Sequence, residues 1–177
     1  MMRWAAPTPN APLPPGNLPA PLTPFVGRAG ELAELLAALG APGARLVTLS
    51  GEGGSGKTRL ALQAADALRP AFPDGVWLVE LDALNDSALI PSAVASALGL
   101  VEDKKRPPLD APVDFLAGRR ALLLLDNCEH LVAAAAANAG QLLRRCPRLL
   151  ILATSRERLG VPGETVWQVP AMTLPPP

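Results

Sequence analysis

The apolar positions along the chain change period several times, and each change marks an element. Leu32, Leu35, Leu36 and Leu39 recur at helical spacing and predict a helix that Gly40, Pro42 and Gly43 end. Arg45-Leu46-Val47-Thr48-Leu49-Ser50 is short, apolar and β-branched, the composition of a buried strand. Leu60, Ala64, Ala67 and Leu68 return to helical spacing over 58–68, and Arg69-Pro70 closes that helix. A second strand is expected over 75–81, a turn or cap at Asn85-Asp86-Ser87, and a helix over 90–98 with Pro91 in its first turn and Gly99 at its end. Residues 102–108 are charged and proline-containing, hence an exposed loop, and 110–117 a short helix. Arg120-Ala121-Leu122-Leu123-Leu124-Leu125-Asp126 is apolar on both faces, as a central parallel strand must be. An alanine-rich helix over 131–145, a buried strand over 148–154 and a short strand over 164–169 complete the series. Buried strands alternating with helices predict an α/β fold.

Composition narrows the class. The 177 residues suit one domain with a full core, expected over 25–174. Ahead of it, residues 1–24 hold eight of the 21 prolines, which block helix and sheet ladders. They are expected to form an extended or disordered leader, with 18–24 able to lie along the domain as a strap. Sixteen basic and sixteen acidic residues give no net charge, and nothing there points to a nucleic-acid surface. Cys128 and Cys146 are too few for a disulfide framework and match no metal-site spacing, so both are read as reduced and structural. No apolar run approaches a membrane span, and the early prolines leave no signal-peptide core, so a cytoplasmic location is expected.

The chemistry concentrates in Gly51-Glu52-Gly53-Gly54-Ser55-Gly56-Lys57-Thr58, which fits the phosphate-binding pattern G-x-x-x-x-G-K-[ST] at every fixed position. A glycine-rich turn could match by chance, but the strand before it and the helix after it supply the context the motif requires. Four glycines let the backbone aim successive N–H groups at an anion, and the helix start adds unpaired N–H groups and a positive dipole end. Lys57 brings a charge to the β- and γ-phosphates, and Thr58 offers a hydroxyl to Mg²⁺.

Three further positions fall at strand ends. Asp126 closes the most apolar strand, where ligands bind in open α/β sheets, and a carboxylate there can hold Mg²⁺; the bland alternative is a cap for the next helix. Asn127 stands directly after it, a weak base, which leaves Glu129 as the nearest acid able to orient an attacking water. His130 reads as surface or cap packing rather than catalysis. Thr154-Ser155-Arg156 ends another strand, where Thr154 can sense a γ-phosphate and Arg156 contact it, or Arg156 can remain in solvent. Val26 and Arg28 read by themselves as a helix entry and a solvated cation.

Phe25-Val26-Gly27-Arg28, the glycine loop, Leu122 to His130 and Thr154 to Glu164 occur in this order in STAND-class ATPases. The chain resembles the nucleotide-binding domain of large bacterial transcriptional regulators of the LuxR and antibiotic-regulatory types, related to NB-ARC domains. The resemblance covers about residues 18–174 and implies a P-loop NTPase three-layer α/β/α sandwich. Its five parallel strands would follow the AAA-like order 5-1-4-3-2. It implies ATP or ADP and Mg²⁺ as cofactors, with Gly51, Gly53, Gly54, Ser55, Gly56, Lys57, Thr58 and Arg59 on the nucleotide and Thr58 and Asp126 on the metal. It places Val26 and Arg28 by the adenine and Arg156 at the γ-phosphate, and it implies a nucleotide-operated switch. Relatives continue into a helical lid, a winged helix and often a DNA-binding domain, none of which follows here. A fragment of a longer regulator, or a module working with a separate protein partner, is therefore expected.

The functional expectation is an ATP-binding domain with weak or latent Mg²⁺-dependent hydrolysis, in which Lys57, Glu129 and Arg156 carry the chemistry. The alternative is a non-catalytic module that holds ATP or ADP to control a partner, favoured by Asn127 after Asp126. A small-molecule kinase shares the glycine loop but not the Val26-Gly27-Arg28 and Thr154-Ser155-Arg156 signatures.

Overall fold

The computed structural model describes residues 15–20, 27–101, 103 and 105–170. Val26, the first part of the leader and the chain after Pro170 lie outside the described residues. Five parallel strands form one sheet: β1 (Leu46–Ser50), β2 (Val76–Glu80), β3 (Leu122–Asp126), β4 (Leu150–Ser155) and β5 (Glu164–Gln168). Their spatial order is β2-β3-β4-β1-β5, the order expected from the resemblance read from its other end. The three central strands are the most buried, and every residue of β3 and β4 is buried.

Because side chains alternate across a strand, the leucine run of β3 feeds both faces of the sheet. Leu123 and Leu125 join a core with α3 (Ile90–Ala97), α4 (Asp110–Leu116) and α5 (Val132–Arg145). Leu122 and Leu124 join a second core with α1 (Ala29–Leu39) and α2 (Lys57–Ala67). Three layers result. Small residues set the spacing: Ala61, Ala64 and Ala65 of α2 and Ala135 and Ala139 of α5 are all buried where the helices meet the sheet.

Boundaries differ from expectation by a residue or two, and the reasons are local. β4 starts at Leu150 because Cys146 O accepts from Leu149 N in a closing turn at the end of α5. The stretch before α5 makes a short 3₁₀ turn at Cys128–His130. Another, Ser87–Leu89, precedes α3, with the Asp86 side chain accepting from Ala88 N. Both cysteines are free and buried.

At the sheet's lower end, Arg45 fixes α5 to the strand layer. Its guanidinium donates to Leu143 O (3.0 Å), Cys146 O (2.7 Å) and Leu149 O (2.8 Å), carbonyls of the last turn of α5 and of the turn into β4. At one edge, Pro15 to Leu18 run beside β2, and Gly16 bridges to Val76 in parallel sense. Replacing Arg45 by Ala removes a charged donor from all three carbonyls, of which Cys146 O keeps only Leu149 N. The expected cost is about 1–3 kcal/mol of folding free energy, read from chemical denaturation.

Candidate functional site

Register determines which residues share the sheet's C-terminal edge. Ser50 pairs with Ser155 and with Gln168, Leu49 with Thr154, and Glu80 with Asp126. Leu125 pairs with Ala153, so Asp126 and Thr154 come level one step later. The glycine loop leaves β1 at this edge and returns as α2, whose first residue is Lys57.

Within the loop, Gly54 (φ 76°) and Gly56 (φ 80°) occupy the left-handed region that L side chains rarely adopt. Lys57 is buried, and its ammonium donates to Gly51 O (2.8 Å) and Glu52 O (2.9 Å), which draws the loop around it. Thr58 Oγ1 donates to Asp126 Oδ1 at 2.8 Å and lies 3.1 Å from Oδ2. This contact joins two stretches 68 residues apart in sequence. Asp126 is itself buried and also accepts from Thr154 Oγ1 at 2.5 Å. Thr154 Oγ1 in turn accepts from Asn127 N at 2.9 Å.

Glu129 and Arg156 meet at the mouth of the loop. Arg156 Nε lies 3.7 Å from Glu129 Oε1, and the guanidinium passes close over Gly53, 3.3 Å from where a Cβ would stand. Arg156 is largely exposed, whereas Glu129 Oε2 is buried without a partner. Arg28 sits at the entry to α1 with φ 57° and donates to Pro170 O at 3.0 Å. Arg59 lies exposed on the first turn of α2. His130 Nε2 is 2.9 Å from Leu84 O, a packing contact away from the loop. A cleft of about 350 Å³ lies over Gly51 to Ser55, with Gln168 and Val169 as its other wall.

Gln168 and Val169 were not among the expected site residues. Only the strand order, with β5 beside β1, brings them to the loop. The left-handed turn at Asn127 (φ 61°) was likewise missed, although asparagine directly after a strand is a signal for it.

The donor set suits a hard cation. A hydroxyl and a carboxylate are oxygen ligands, and Mg²⁺ is commonly held by one or two such groups together with phosphate and water. Among the described residues no cluster of three or more His, Cys, Asp or Glu forms an all-protein metal cage. Of the buried polar side-chain atoms without partners among the described residues, three border this site: Arg28 Nη1, Ser55 Oγ and Glu129 Oε2. Such atoms are few in folded proteins, and water, an ion or a bound ligand can complete their bonding.

The profile of the AAA ATPase domain matches residues 24–161. A Mycobacterium tuberculosis protein named as an HTH-type transcriptional regulator is 47% identical over 130 residues, which are 73% of this chain and 14% of the relative. Regulatory protein AfsR of Streptomyces griseus is 37% identical over 158 residues, covering 83% of this chain and 16% of the relative. Among solved structures, a Pyrococcus horikoshii signal transduction ATPase with numerous domains, carrying a tetratricopeptide repeat sensor, superposes with a TM-score of 0.52 at 21% identity. That match covers 82% of this chain and 23% of the other. The chain thus spans a small part of the length of the relatives it matches. It belongs to the AAA ATPase domain family. No helix among the described residues is long and apolar enough to cross a membrane.

Cys128, between Asp126 and Glu129, gives a pH prediction. Burial first, then the neighbouring Asp126 and Glu129 charges, push its thiol from 9.0 up to about 12. The neutral thiol is the form the fold accepts. Its contribution to stability is therefore complete below pH 9 and lost as pH rises from there through about 12. Denaturation curves across this range should lose stability with pH, with a shallower slope in Cys128→Ala. A thiol reagent at pH 8 should leave Cys128 unmodified until the chain is unfolded.

Proposed function

We propose that this AAA ATPase domain binds ATP or ADP with Mg²⁺ at the glycine loop and acts as the nucleotide switch of a regulator. The carrying observation is the Thr58–Asp126 contact beside the buried Lys57 ammonium. It gathers a phosphate-binding backbone, a cation and an oxygen-donor pair at one sheet edge.

In this reading, amides of residues 51–58 and Lys57 hold the β- and γ-phosphates, with Ser55 and Arg59 beside them. Thr58 and Asp126 would hold Mg²⁺, whose charge offsets that of the phosphate oxygens. Thr154 and Arg156 would face a terminal phosphate, a role supported by the Thr154–Asp126 bond and by the position of Arg156 over Gly53. Val26 and Arg28 are assigned to the adenine; for Arg28 the support is its bond to Pro170, next to the cleft residue Val169. Glu129 is the proposed water-orienting acid. Arg156 engages one of its oxygens, and a terminal phosphate that draws Arg156 away would leave both free to accept from water. The names of the relatives support a role in regulation. The remaining domains or a separate protein partner would read the switch, in the cytoplasm.

A second reading is a module that binds without turnover. It is favoured by Asn127, whose Nδ2 lies 3.4 Å from Asp126 Oδ2 at the position where an acid would serve catalysis.

Two measurements separate the readings. Lys57→Ala should take ATP binding below detection by calorimetry; unchanged affinity refutes the nucleotide site. In a phosphate-release assay the enzyme reading expects slow turnover that falls roughly 100-fold or more in Glu129→Gln and disappears in Thr58→Ala. Tight binding with no turnover above background establishes the module instead.

A further inference from the structure

The strongest feature that the nucleotide site does not use is the contact between the leader and β2. β2 is an outer strand, and its neighbour β3 takes the groups on one side only. On the other side Val76 N donates to Pro15 O at 3.0 Å. Leu78 is engaged twice by one side chain: its N–H donates to Asn17 Oδ1 at 2.6 Å, and its carbonyl accepts from Asn17 Nδ2 at 2.8 Å. The Asn17 carboxamide thus presents one donor and one acceptor, as the peptide group of a neighbouring strand would. Val76 and Leu78 are two apart, so their free groups point the same way, and one short segment satisfies both.

The fit depends on residue type. A Cβ at Gly16 would stand 2.1 Å from Val76 O, so only glycine approaches this closely. A Cβ at Gly75 would meet Pro15 O at 3.0 Å and Trp77 Nε1 at 2.5 Å. Leu18 then turns its side chain onto the core that contains Val76, Leu78 and Leu124. Backbone bonds, a side chain standing in for a peptide group, a glycine contact and an apolar anchor are the parts of a strand-edge recognition site.

We propose that the outer edge of β2 is a docking site for an extended Pro-Gly-Asn-Leu segment. It is filled in cis by residues 15–18, which thereby keep β2 from pairing with a second copy of the chain. An unpaired edge exposes a row of N–H and C=O groups that another edge can satisfy, and proteins characteristically cover such edges. Pro15, which begins the segment, and Pro19, which follows it, lack N–H groups and stop the ladder from growing outward. The proposal stands on the β2 edge alone and is independent of nucleotide binding.

The test uses the full chain and its Asn17→Ala variant, with amide hydrogen exchange and sedimentation equilibrium as readouts. The variant should speed exchange at Leu78 by about tenfold or more while Leu124 in β3 stays protected, and it should self-associate. A capped synthetic peptide with the sequence of residues 15–20 should restore slow exchange and the monomer, and the same peptide with Ala for Asn should do neither. Leu78 exchange within about twofold of the unmodified chain overturns the proposal. So does an Asn17→Ala chain that remains monomeric, or a pair of peptides that act alike. Should Leu124 also lose protection, Gly16→Ala decides. It lifts the leader from Val76 without touching the core, so faster Leu78 exchange supports the proposal and unchanged exchange overturns it.

Discussion

A carboxylate withdrawn from water and met by hydroxyls holds this edge of the sheet together. Asp126 is 4% exposed and ends the most apolar strand of the molecule. Burial of such a charge costs several kcal/mol unless its lone pairs are filled. Thr58 from α2 and Thr154 from β4 fill them, with the Asn127 amide at longer range. Three segments distant in sequence are thereby fixed to one point. The arrangement tolerates no slip, because moving β3 by one residue would turn Asp126 to the other face and leave both hydroxyls without an acceptor.

That constraint also explains why the core is built from small and branched aliphatic side chains. The hydroxyl of Thr58 reaches Asp126 only if α2 lies close on the sheet. Ala61, Ala64 and Ala65, all fully buried, allow that approach. Larger residues on this face would lift the helix and lengthen the contact, and both partners would then be buried without bonds. Packing and site geometry therefore share one determinant.

The legible part of the site is the part built from contiguous sequence. The glycine loop announces itself because consecutive residues make the anion cradle, and β3 because a strand buried on both faces leaves no polar residue until Asp126. Pairings across strands are another matter. Glu129 meets Arg156 only because β3 and β4 are neighbours, and Gln168 reaches the loop only because β5 returns beside β1. Neither adjacency is encoded in any local window; the resemblance supplied the strand order, and the pairings follow once that order is given. Asn17 is harder still. Its role depends on the free edge of β2, a property of the folded sheet, and in the sequence it stands among prolines that read as structureless. Local boundaries shifted for a related reason, since turns such as Cys146–Leu149 take residues that apolarity alone assigns to a strand.

The electrostatics of the edge give the nucleotide reading its physical content. Lys57 is buried, and the partners of its ammonium are two carbonyls, dipoles rather than charges. Among the described residues no carboxylate forms an ion pair with it. One residue on, Thr58 binds Asp126, whose partners are hydroxyls and an amide, again without a full countercharge. A cation lacking an anion and an anion lacking a cation therefore stand side by side, each only half compensated. A direct Lys57–Asp126 pair would have been the simplest remedy within the chain, and the fold does not make it. A ligand carrying an anion together with a divalent cation completes both at once, and a nucleotide polyphosphate with Mg²⁺ is such a ligand. A bare phosphate would answer Lys57 and add repulsion at Asp126, while a bare metal ion would do the reverse. Under the proposed nucleotide function the edge would favour the pair over either component alone.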